Sequence, residues 1–471
     1  MNKKAHSRTK EWIAQIASGT TSENKKDINF SGVEFDSRKL SSGNLFVAYQ
    51  GENAHGHQFL DSAFRNGASI AIVEDNKVFE TSAYIDQLVL VKDSVKALND
   101  LAAAIRKECP TPTLAITGSM GKTTTKELCR AILSADSVGS ASIASYNNHI
   151  GVAYTICNSS PQDNWLVLEM GMNHAGELTK LSTVGNPNVV VITSIAPVHM
   201  EFFNSVDEIA QAKLEILSGL KKDGTVILNA DDQVLQKGFK EWCENNNSQL
   251  SVISYGSSET SELEVISSKS CGLDGYTAEY KYQNKTSNYQ LNTLGQHNVY
   301  NTAAAILACR SLVAELSLNA IEEGLKKFQP EKHRLSVVTL SDGRKILDDS
   351  YNANPTATIK ALDLLANLKS SEQTTAVLLG DMAEIGESSA AEHKKVAQHL
   401  TTTNPNFVVT VGKEAKLISD YAEEKNIMAK HFDTPEDAAE YIAKQDFDIL
   451  LVKASRSTGL DRCVKKITEL V

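Results

Sequence analysis

Short runs of apolar residues alternate with stretches of helical periodicity through the middle of the chain. Helices are predicted from about Thr123 and near 206–220. Continuous apolar runs of this length are typical of strands that are buried on both faces, and their alternation with helices predicts a mostly parallel sheet covered on both sides. The runs are TLAIT at 113–117, WLVLEM at 165–170, VVVITSI at 189–195 and TVILN at 225–229.

The same alternation continues toward both ends of the chain. Strand-like runs at 45–49 and 70–73 flank a predicted helix near 59–66, and the polar, alternating stretch 255–292 predicts antiparallel strands at the rim of the central sheet. Further apolar runs lie at 337–351, 375–381, 407–412 and 448–455.

We therefore predict an α/β protein with three domains. They are a small N-terminal α/β domain (1–107), a central domain with a mostly parallel sheet (108–328), and a Rossmann-like C-terminal α/β domain (329–471).

Composition limits the classes of partner. The formal net charge of −11 repels a nucleic-acid backbone, so we expect no nucleic-acid partner, whereas an anionic small molecule needs only a few local cations. The chain lacks an apolar stretch of about 18 residues and a signal-peptide core, which predicts a cytoplasmic protein without membrane insertion. Seven scattered cysteines without a C-x-x-C pair predict reduced thiols. A monomer is our default expectation.

The segment ITGSMGKTTTKE at 116–127 is the strongest signal for a ligand. It is a glycine-rich turn between an apolar strand and a helix, where backbone N–H groups and the helix N-terminus hold phosphate. Ile116 stands where the common pattern G-x-x-x-x-G-K-[ST] has its first glycine, and an ordinary glycine turn is the alternative interpretation. The loop makes 108–328 the predicted ATP-binding domain, with a P-loop-type sheet, and we expect ATP to be bound by Gly118, Ser119, Gly121, Lys122, Thr123 and Thr124.

Glu169 lies at the end of an apolar strand about fifty residues after this loop. The open end of a parallel sheet places side chains toward ligands, so Glu169 is the expected metal carboxylate, with Thr123 offering its hydroxyl to Mg²⁺. A solvated acid at a strand end is the alternative.

Further blocks follow the loop in a specific order: YNNHIGV at 146–152, LEMGMNHAGEL at 168–178, PVHMEFF at 197–203, AQAKLEI at 210–216, GQHNVYNTAAA at 295–305, DDSYNANP at 348–355 and LGDMAEIGE at 379–387. Over nearly the whole chain, this set resembles the Mur ligase family. Within the family, it resembles the members that add D-alanyl-D-alanine to a UDP-linked muramoyl tripeptide. The resemblance implies an ATP- and Mg²⁺-dependent ligase that forms ADP through an acyl phosphate in peptidoglycan synthesis.

The resemblance also implies a metal site. Glu169 would bridge two magnesium ions, one shared with Thr123, and His199 would bind the second ion, although a lone histidine is more often structural. Lys213, which in isolation is interpreted as an exposed helix lysine, would be a metal ligand if CO₂ carbamylates it. Such chemistry requires a locally neutral amine, which burial can produce.

The resemblance implies that residues from two parts of the chain complete the nucleotide-binding site. By resemblance, Asn301 contacts adenine, Asn298 holds the neighbouring loop, Arg334 contacts phosphate and Asp349 contacts ribose. A capped structural helix is the alternative for the two asparagines. The implied catalytic set is Lys122, Glu169, His199, Lys213 and Arg334.

Substrate contacts are implied in all three domains. The segment 35–59 would cradle the uridine diphosphate, with a solvated β-hairpin edge as the alternative, and the NANP turn at 352–355 is equally a plain strand-to-helix loop. Met120 and Ala454 stand where the family has asparagine and glycine. The candidate substrate residues are Ser37, Arg38, Asn147, Asn148, Asn352, Asn354, Lys453 and Arg456.

Other functions stay open on the sequence. A sibling Mur ligase that adds one amino acid, or a folylpolyglutamate-synthase-like ligase, would share the ATP site. A P-loop kinase or ATPase would need no acyl acceptor, and a non-catalytic module would bind ATP without turnover. The third residue of the tripeptide, the choice between dipeptide and depsipeptide, and the general base for the incoming amine are also open.

Overall fold

The structure is a computed structural model that describes residues 6–24, 28–51, 54–370 and 372–471. Two interpretations from the sequence fall in part outside these residues. The N-terminal segment without a signal-peptide core includes residues 1–5, and the segment 35–59 includes residues 52–53. Within the described parts of the chain, every helix is too short or too polar to cross a membrane.

The amino-terminal part contains two small sheets. Strands β1 (Ser7–Thr9) and β2 (Asn29–Ser31) pair antiparallel, and four strands form a parallel sheet in chain order: β3 (Val33–Glu34), β4 (Asn44–Val47), β5 (Ala68–Val73) and β6 (Leu88–Leu90). Its helices are α1 (Lys10–Ile16), α2 (Leu60–Arg65), α3 (Asn76–Thr81) and α4 (Ser94–Glu108). In the described part of the segment 35–59, strand β4 pairs parallel with β3 and β5, and an isolated antiparallel bridge joins Gln50 to His55, so no two strands there form the alternative β-hairpin edge.

The central part is one nine-stranded sheet in the order β15-β14-β13-β12-β11-β10-β7-β9-β8. The strands are β7 (Thr113–Thr117), β8 (Ser140–Ala141), β9 (Leu166–Glu169), β10 (Val189–Ile192), β11 (Thr225–Asn229), β12 (Ser251–Gly256), β13 (Leu263–Ser270), β14 (Tyr276–Tyr282) and β15 (Lys285–Leu291). The helices are α5 (Lys122–Ser134), α6 (His149–Cys157), α7 (Glu177–Gly185), α8 (Val206–Leu214), α9 (Gln233–Asn245), α10 (His297–Leu312) and α11 (Leu318–Lys327).

The predicted mostly parallel sheet is confirmed, with one correction at its rim. Strands β13, β14 and β15 pair antiparallel as expected for 255–292, but β12, which ends inside this stretch, runs parallel to both of its neighbours. The β12 run continues the crossover pattern of the buried strands before it, which its more polar composition conceals.

The carboxyl-terminal part is a six-stranded sheet in the order β16-β17-β21-β18-β19-β20, antiparallel only between β16 and β17. The strands are β16 (Ser336–Thr339), β17 (Lys345–Asp349), β18 (Thr375–Gly380), β19 (Phe407–Val411), β20 (Met428–Phe432) and β21 (Ile449–Lys453). The helices are α12 (Pro355–Leu368), α13 (Ser389–Thr403), α14 (Lys416–Glu424), α15 (Pro435–Ile442) and α16 (Leu460–Leu470). Short 3₁₀ helices cover Gly56–Phe59, Ile85–Gln87, Glu215–Gly219, Gly272–Asp274, Gly386–Ser388 and Arg456–Thr458.

Apolar side chains bury both faces of these sheets. In β10, Val189 and Val191 enter the core on one face, while Val190 and Ile192 enter the core on the other. Burial on both faces explains why the strand is a continuous apolar run. Polar side chains appear where the parallel strands end. There the central and carboxyl-terminal sheets together line a cleft of about 1120 Å³.

Candidate active site

The loop between β7 and α5 is held in shape by the strand beside it. The Ser119 amide donates a hydrogen bond to the Ser194 carbonyl (2.7 Å), and the Thr193 hydroxyl donates to the Met120 carbonyl (2.5 Å). The Ser119 hydroxyl donates to the carbonyl of Ala196 (3.1 Å) and accepts from its amide (2.9 Å). Ser119 thus braces the loop, and these bonds pre-form the turn.

Lys122 is the first residue of α5 and reaches back across the turn. Its Nζ donates to the Gly118 carbonyl (2.7 Å), and it lines the cleft. Burial lowers the pKa of Lys122; the Glu169 carboxylate opposes this shift, and the Arg334 charge adds to it. The anionic charge of a bound polyphosphate would favour the charged form of this amine.

Gly121 precedes α5 with a φ of +85°, where a side chain is strained. A Cβ there would also lie 2.4 Å from Asn301 Oδ1. We expect Gly121→Ala to cost about 1–2 kcal/mol at this position and to raise the KM for ATP about tenfold, because it displaces both the loop and Asn301. Steady-state kinetics with varied ATP tests this, with Gly343→Ala, at an exposed turn with open space, as the control. An unchanged KM would contradict it.

Glu169 ends β9 with no exposed surface. Its Oε1 accepts a hydrogen bond from Asn147 Nδ2 (2.9 Å), whereas its Oε2 is buried and has no hydrogen-bond partner among the described residues. A buried carboxylate oxygen without a partner is costly, and a cation would satisfy it. Thr123, which is also buried, lines the same cleft. These two residues fit a magnesium ion by the chemistry of their oxygens.

His199 follows β10 in a left-handed conformation, with a φ of +57°. Its Nδ1 lies 2.6 Å from Oε2 of Glu384, a residue of the carboxyl-terminal part, and both residues line the cleft. No pattern in the sequence pairs Glu384 with His199, since 185 residues separate them.

Lys213 is 1% exposed on α8, so its interpretation as an exposed helix lysine is wrong. Its side-chain amine has no hydrogen-bond or ion-pair partner among the described residues, and Lys213 is not one of the residues that line the cleft surface. Burial lowers its pKa well below the ordinary value of 10.5, and the Lys122 charge adds to the effect. Burial and the Lys122 charge therefore both favour the neutral form of the amine, which carbamylation requires.

A conventional metal cluster is absent from this part of the protein. In the ranges that the structure describes, no group of three or more His, Cys, Asp or Glu side chains could hold a metal ion. A magnesium site here would therefore need Thr123 and Lys213 in addition to Glu169 and His199.

Lys126 is a positioning residue that sequence reasoning missed. Fully buried on α5, it donates to the carbonyls of Ser142 (3.0 Å) and Ala144 (2.6 Å) and pairs with Glu127 (2.7 Å). It thereby anchors the loop that carries Asn147. Lys126 lies three residues from each of two buried residues, Thr123 and Cys129, which puts it on the buried face of α5. This spacing was the signal that the sequence offered.

Lys126→Met is expected to destabilise the protein by about 3 kcal/mol, because it leaves buried acceptors without their cation. Urea unfolding followed by circular dichroism would measure the loss. The exposed Lys240 on α9 provides a control, Lys240→Met, for which we expect no change. Equal midpoints for the two variants would contradict the positioning role.

The two asparagines of α10 are buried and joined to each other. Asn301 Nδ2 donates to Asn298 Oδ1 (2.7 Å), and Asn298 Nδ2 donates to the Leu294 carbonyl (2.7 Å). Asn298 thus holds the turn that precedes the helix. Asn301 lies against Gly121, which brings the start of α10 beside the phosphate loop.

The carboxyl-terminal part supplies a second set of polar groups. Arg334 stacks on Tyr351, with 4.0 Å between its guanidinium carbon and the ring centroid, and donates to Ser145 Oγ (3.0 Å). The buried Lys453 pairs with Asp349 at 2.5 Å and donates to the Asn352 carbonyl (3.0 Å). Burial raises the pKa of Asp349, which the Lys453 charge opposes.

Two of the predicted substrate asparagines cap helices. Asn148 Oδ1 accepts from the amides of Ile150 and Gly151 at the start of α6, and Asn148 is not among the cleft residues. Asn354 Oδ1 accepts from the Ala357 amide (2.8 Å) at the start of α12, although Asn354 also lines the cleft. Asparagine directly before a helix was a signal for both caps.

Like Asn148, three further predicted substrate residues lie away from the cleft. Ser37 is buried, and the exposed Arg38 makes two 2.8 Å hydrogen bonds to Asp36, which lower the pKa of that carboxyl group to about 2. Arg456 pairs with Asp461 (3.0 Å) at the start of α16. The structure therefore gathers the ATP-site candidates but not Asn148, Ser37, Arg38 and Arg456.

Comparison with known proteins places the whole arrangement in one family. Family models described as the Mur ligase middle domain, the Mur ligase glutamate ligase domain and the Mur ligase family catalytic domain match residues 116–309, 333–456 and 29–106. The UDP-N-acetylmuramoyl-tripeptide–D-alanyl-D-alanine ligase of Bacillus subtilis is 31% identical over 98% of both chains. The chain belongs to the Mur ligase family.

Other Mur ligases are also similar to this chain, in sequence or in fold. The Escherichia coli enzyme with that name is 32% identical over 94% of this chain and 95% of its own. A crystal structure of MurF from Acinetobacter baumannii superposes with a TM-score of 0.85 at 26% identity, covering 99% of each chain. MurF from Thermotoga maritima, in complex with ADP, shares the fold, with a TM-score of 0.75 at 24% identity over 93% of this chain and 97% of its own.

Proposed function

We propose that this protein is the ATP-dependent ligase that joins D-alanyl-D-alanine to UDP-N-acetylmuramoyl-tripeptide and forms ADP. The observation that carries the proposal is the near-complete match to two ligases of that name, at 31% and 32% identity. A match over the whole chain includes the carboxyl-terminal part, which in this fold faces the phosphate loop across the cleft.

The first step transfers the γ-phosphoryl group of ATP to the terminal carboxylate of the tripeptide. A carboxylate oxygen forms a bond to phosphorus as the bond between the γ-phosphorus and the bridging oxygen breaks, giving an acyl phosphate and ADP. Lys122 and Arg334, on opposite sides of the cleft, are placed to offset the charge on the transferring group. Asn301 and Asp349 would bind the adenine and the ribose.

The second step forms the amide bond. The amine of D-alanyl-D-alanine attacks the acyl carbon, loses a proton, and phosphate leaves. Contacts such as Arg334 with Ser145 join the carboxyl-terminal part to the loop before α6, so a closed cleft would exclude water from the acyl phosphate. Asn147, Asn352, Asn354 and Lys453 line or border this cleft and remain our candidates for substrate contact.

Magnesium is part of the proposal. Thr123, Glu169, His199 and a carbamylated Lys213 would hold it, and the unpartnered Oε2 of Glu169 supports a cation at this position. Bound there, Mg²⁺ would neutralise phosphate charge. Monomeric assembly and a cytoplasmic location also remain proposals.

Contact of Ser37 and Arg38 with the uridine diphosphate is a separate proposal, because these residues lie away from the cleft. The same holds for Asn148 and Arg456. Substitution of Arg38, which is exposed and makes its hydrogen bonds within its own turn, would test this contact through the KM for the nucleotide substrate.

The deciding experiment measures phosphate release from ATP and Mg²⁺ with UDP-muramoyl-tripeptide, with and without D-alanyl-D-alanine, and the mass of the product. We expect release that requires both substrates and a product heavier by one dipeptide residue. A product made from a single amino acid would indicate a sibling ligase. Release without an acceptor would indicate an ATPase.

A further inference from the structure

One contact joins the carboxyl-terminal part directly to the predicted metal site. Glu384 follows β18, and its carboxylate lies 2.6 Å from Nδ1 of His199, which follows β10 of the central sheet. The two side chains are 40% and 17% exposed, so the contact is partly shielded from water. It forms only when the two sheets face each other across the cleft.

The backbone supports the same contact. The Glu201 amide points to the Glu384 carbonyl at 3.4 Å, and Gly386 lies against the backbone of Glu201. His199 and Glu384 both have left-handed backbones, with φ of +57° and +62°. Non-glycine residues adopt this conformation where the surrounding structure imposes it, which often occurs at functional sites. Two such residues that meet across a cleft indicate a specific contact.

We propose that Glu384 is a positioning residue that orients His199 for the divalent ion and so couples closure of the carboxyl-terminal part to metal binding. A carboxylate accepts a hydrogen bond only from a protonated Nδ1, which leaves the lone pair of Nε2 for the metal. Because Glu384 belongs to the other sheet, His199 gains this orientation only in the closed form. The inference rests on the proposed function, since it treats His199 as a ligand.

The structure offers three informative variants. Glu384→Ala removes the hydrogen-bond acceptor, whereas Glu384→Gln keeps an oxygen that accepts from Nδ1 and removes the charge. Glu387, three residues further on, is exposed and outside the cleft, so Glu387→Ala is the matched control. A direct metal ligand would lose its function in both Glu384 variants. A positioning residue would be rescued by glutamine.

The first measurement is the affinity for Mn²⁺, used in place of Mg²⁺, with an ATP analogue that has a β,γ-methylene bridge. Free Mn²⁺ is counted by electron paramagnetic resonance. We expect Glu384→Ala to weaken the more weakly bound ion by about tenfold or more, and Glu384→Gln and Glu387→Ala to stay near wild type. Equal losses in the alanine and glutamine variants would overturn the inference, as would no loss in either.

The second measurement needs no metal. Small-angle X-ray scattering in EDTA reports the radius of gyration, and we expect Glu384→Ala and His199→Ala to expand the protein while Glu387→Ala does not. If neither Glu384→Ala nor His199→Ala increases the radius of gyration, the coupling is wrong, even when the wild type makes the pentapeptide product. The proposed function can also fail by itself. In that case the wild type makes no pentapeptide product, but both variants increase the radius of gyration and the Mn²⁺ affinity still depends on Glu384, so the coupling stands.

Discussion

Replacing Lys122 with methionine is expected to lower the kcat of ligation by about 10²–10³-fold, while the protein stays folded. Lys122 lies at the phosphate loop, with Glu169 and Arg334 near enough to shift its pKa. Among the described residues, the only hydrogen bond of its Nζ is to the Gly118 carbonyl, so the amine is free to move to phosphate. Methionine keeps the length of the chain and removes the charge that stabilises the transferring group.

The rate of ADP formation at saturating ATP and both other substrates measures this effect. Lys240→Met, an exposed change on α9, controls for the loss of one surface charge. Lys122→Arg keeps the charge with a different shape and is expected to recover little, because a point charge is needed inside the turn. A kcat within a few-fold of wild type for Lys122→Met would remove this residue from the catalytic set.

The sequence predicted best the strands that are buried on both faces. TLAIT and TVILN are strands from end to end, because an uninterrupted apolar run has few other stable environments. Strand β20 (MAKHF) was missed, since it lies at the edge of its sheet, where polar residues interrupt the run. The short strand β8 carries too few residues to show any period.

At the site, features that lie within one segment could be predicted from the sequence, whereas contacts between distant segments could not. The phosphate loop is contiguous, so one short segment of the sequence contains both the turn and the start of the helix that would hold phosphate. The partners of His199 and Arg334 come from segments 185 and 189 residues away, and no pattern in a single sequence pairs them. Asn148 and Asn354 were assigned to substrate because family resemblance does not separate a capping role from a binding role.

Lys213→Met is expected to lower kcat at least about 100-fold and yet to keep or raise the free energy of unfolding by about 1–3 kcal/mol. Three lysines of the described chain are fully buried: Lys10 and Lys126 donate to carbonyl oxygens, and Lys213 has no partner. Burying a lysine side chain whose amine has no protein partner costs folding free energy, and a functional role for the amine would explain why this chain retains it. Carbamylation would convert it into an anion that a cation can bind.

The pH dependence follows from the lowered pKa of Lys213. Below pH 10.5, the unfolded chain takes up a proton that the folded chain does not, so the wild type loses stability as the pH falls toward the folded pKa. Methionine removes this loss. The stability gain of Lys213→Met should therefore be small near pH 10 and grow toward neutral pH, as measured by urea unfolding in CO₂-depleted buffer.

Lys126→Met is the matched control, because it removes a lysine that is equally buried but has partners. A carbamate signal from ¹³C-bicarbonate, detected by NMR in wild type and missing in Lys213→Met, would connect the lost activity to the modification. If Lys213→Met were destabilised as much as Lys126→Met, the amine would have a structural partner. If it kept full activity, the metal site would need another ligand. Loss of activity without loss of stability is the combination that only a functional amine explains.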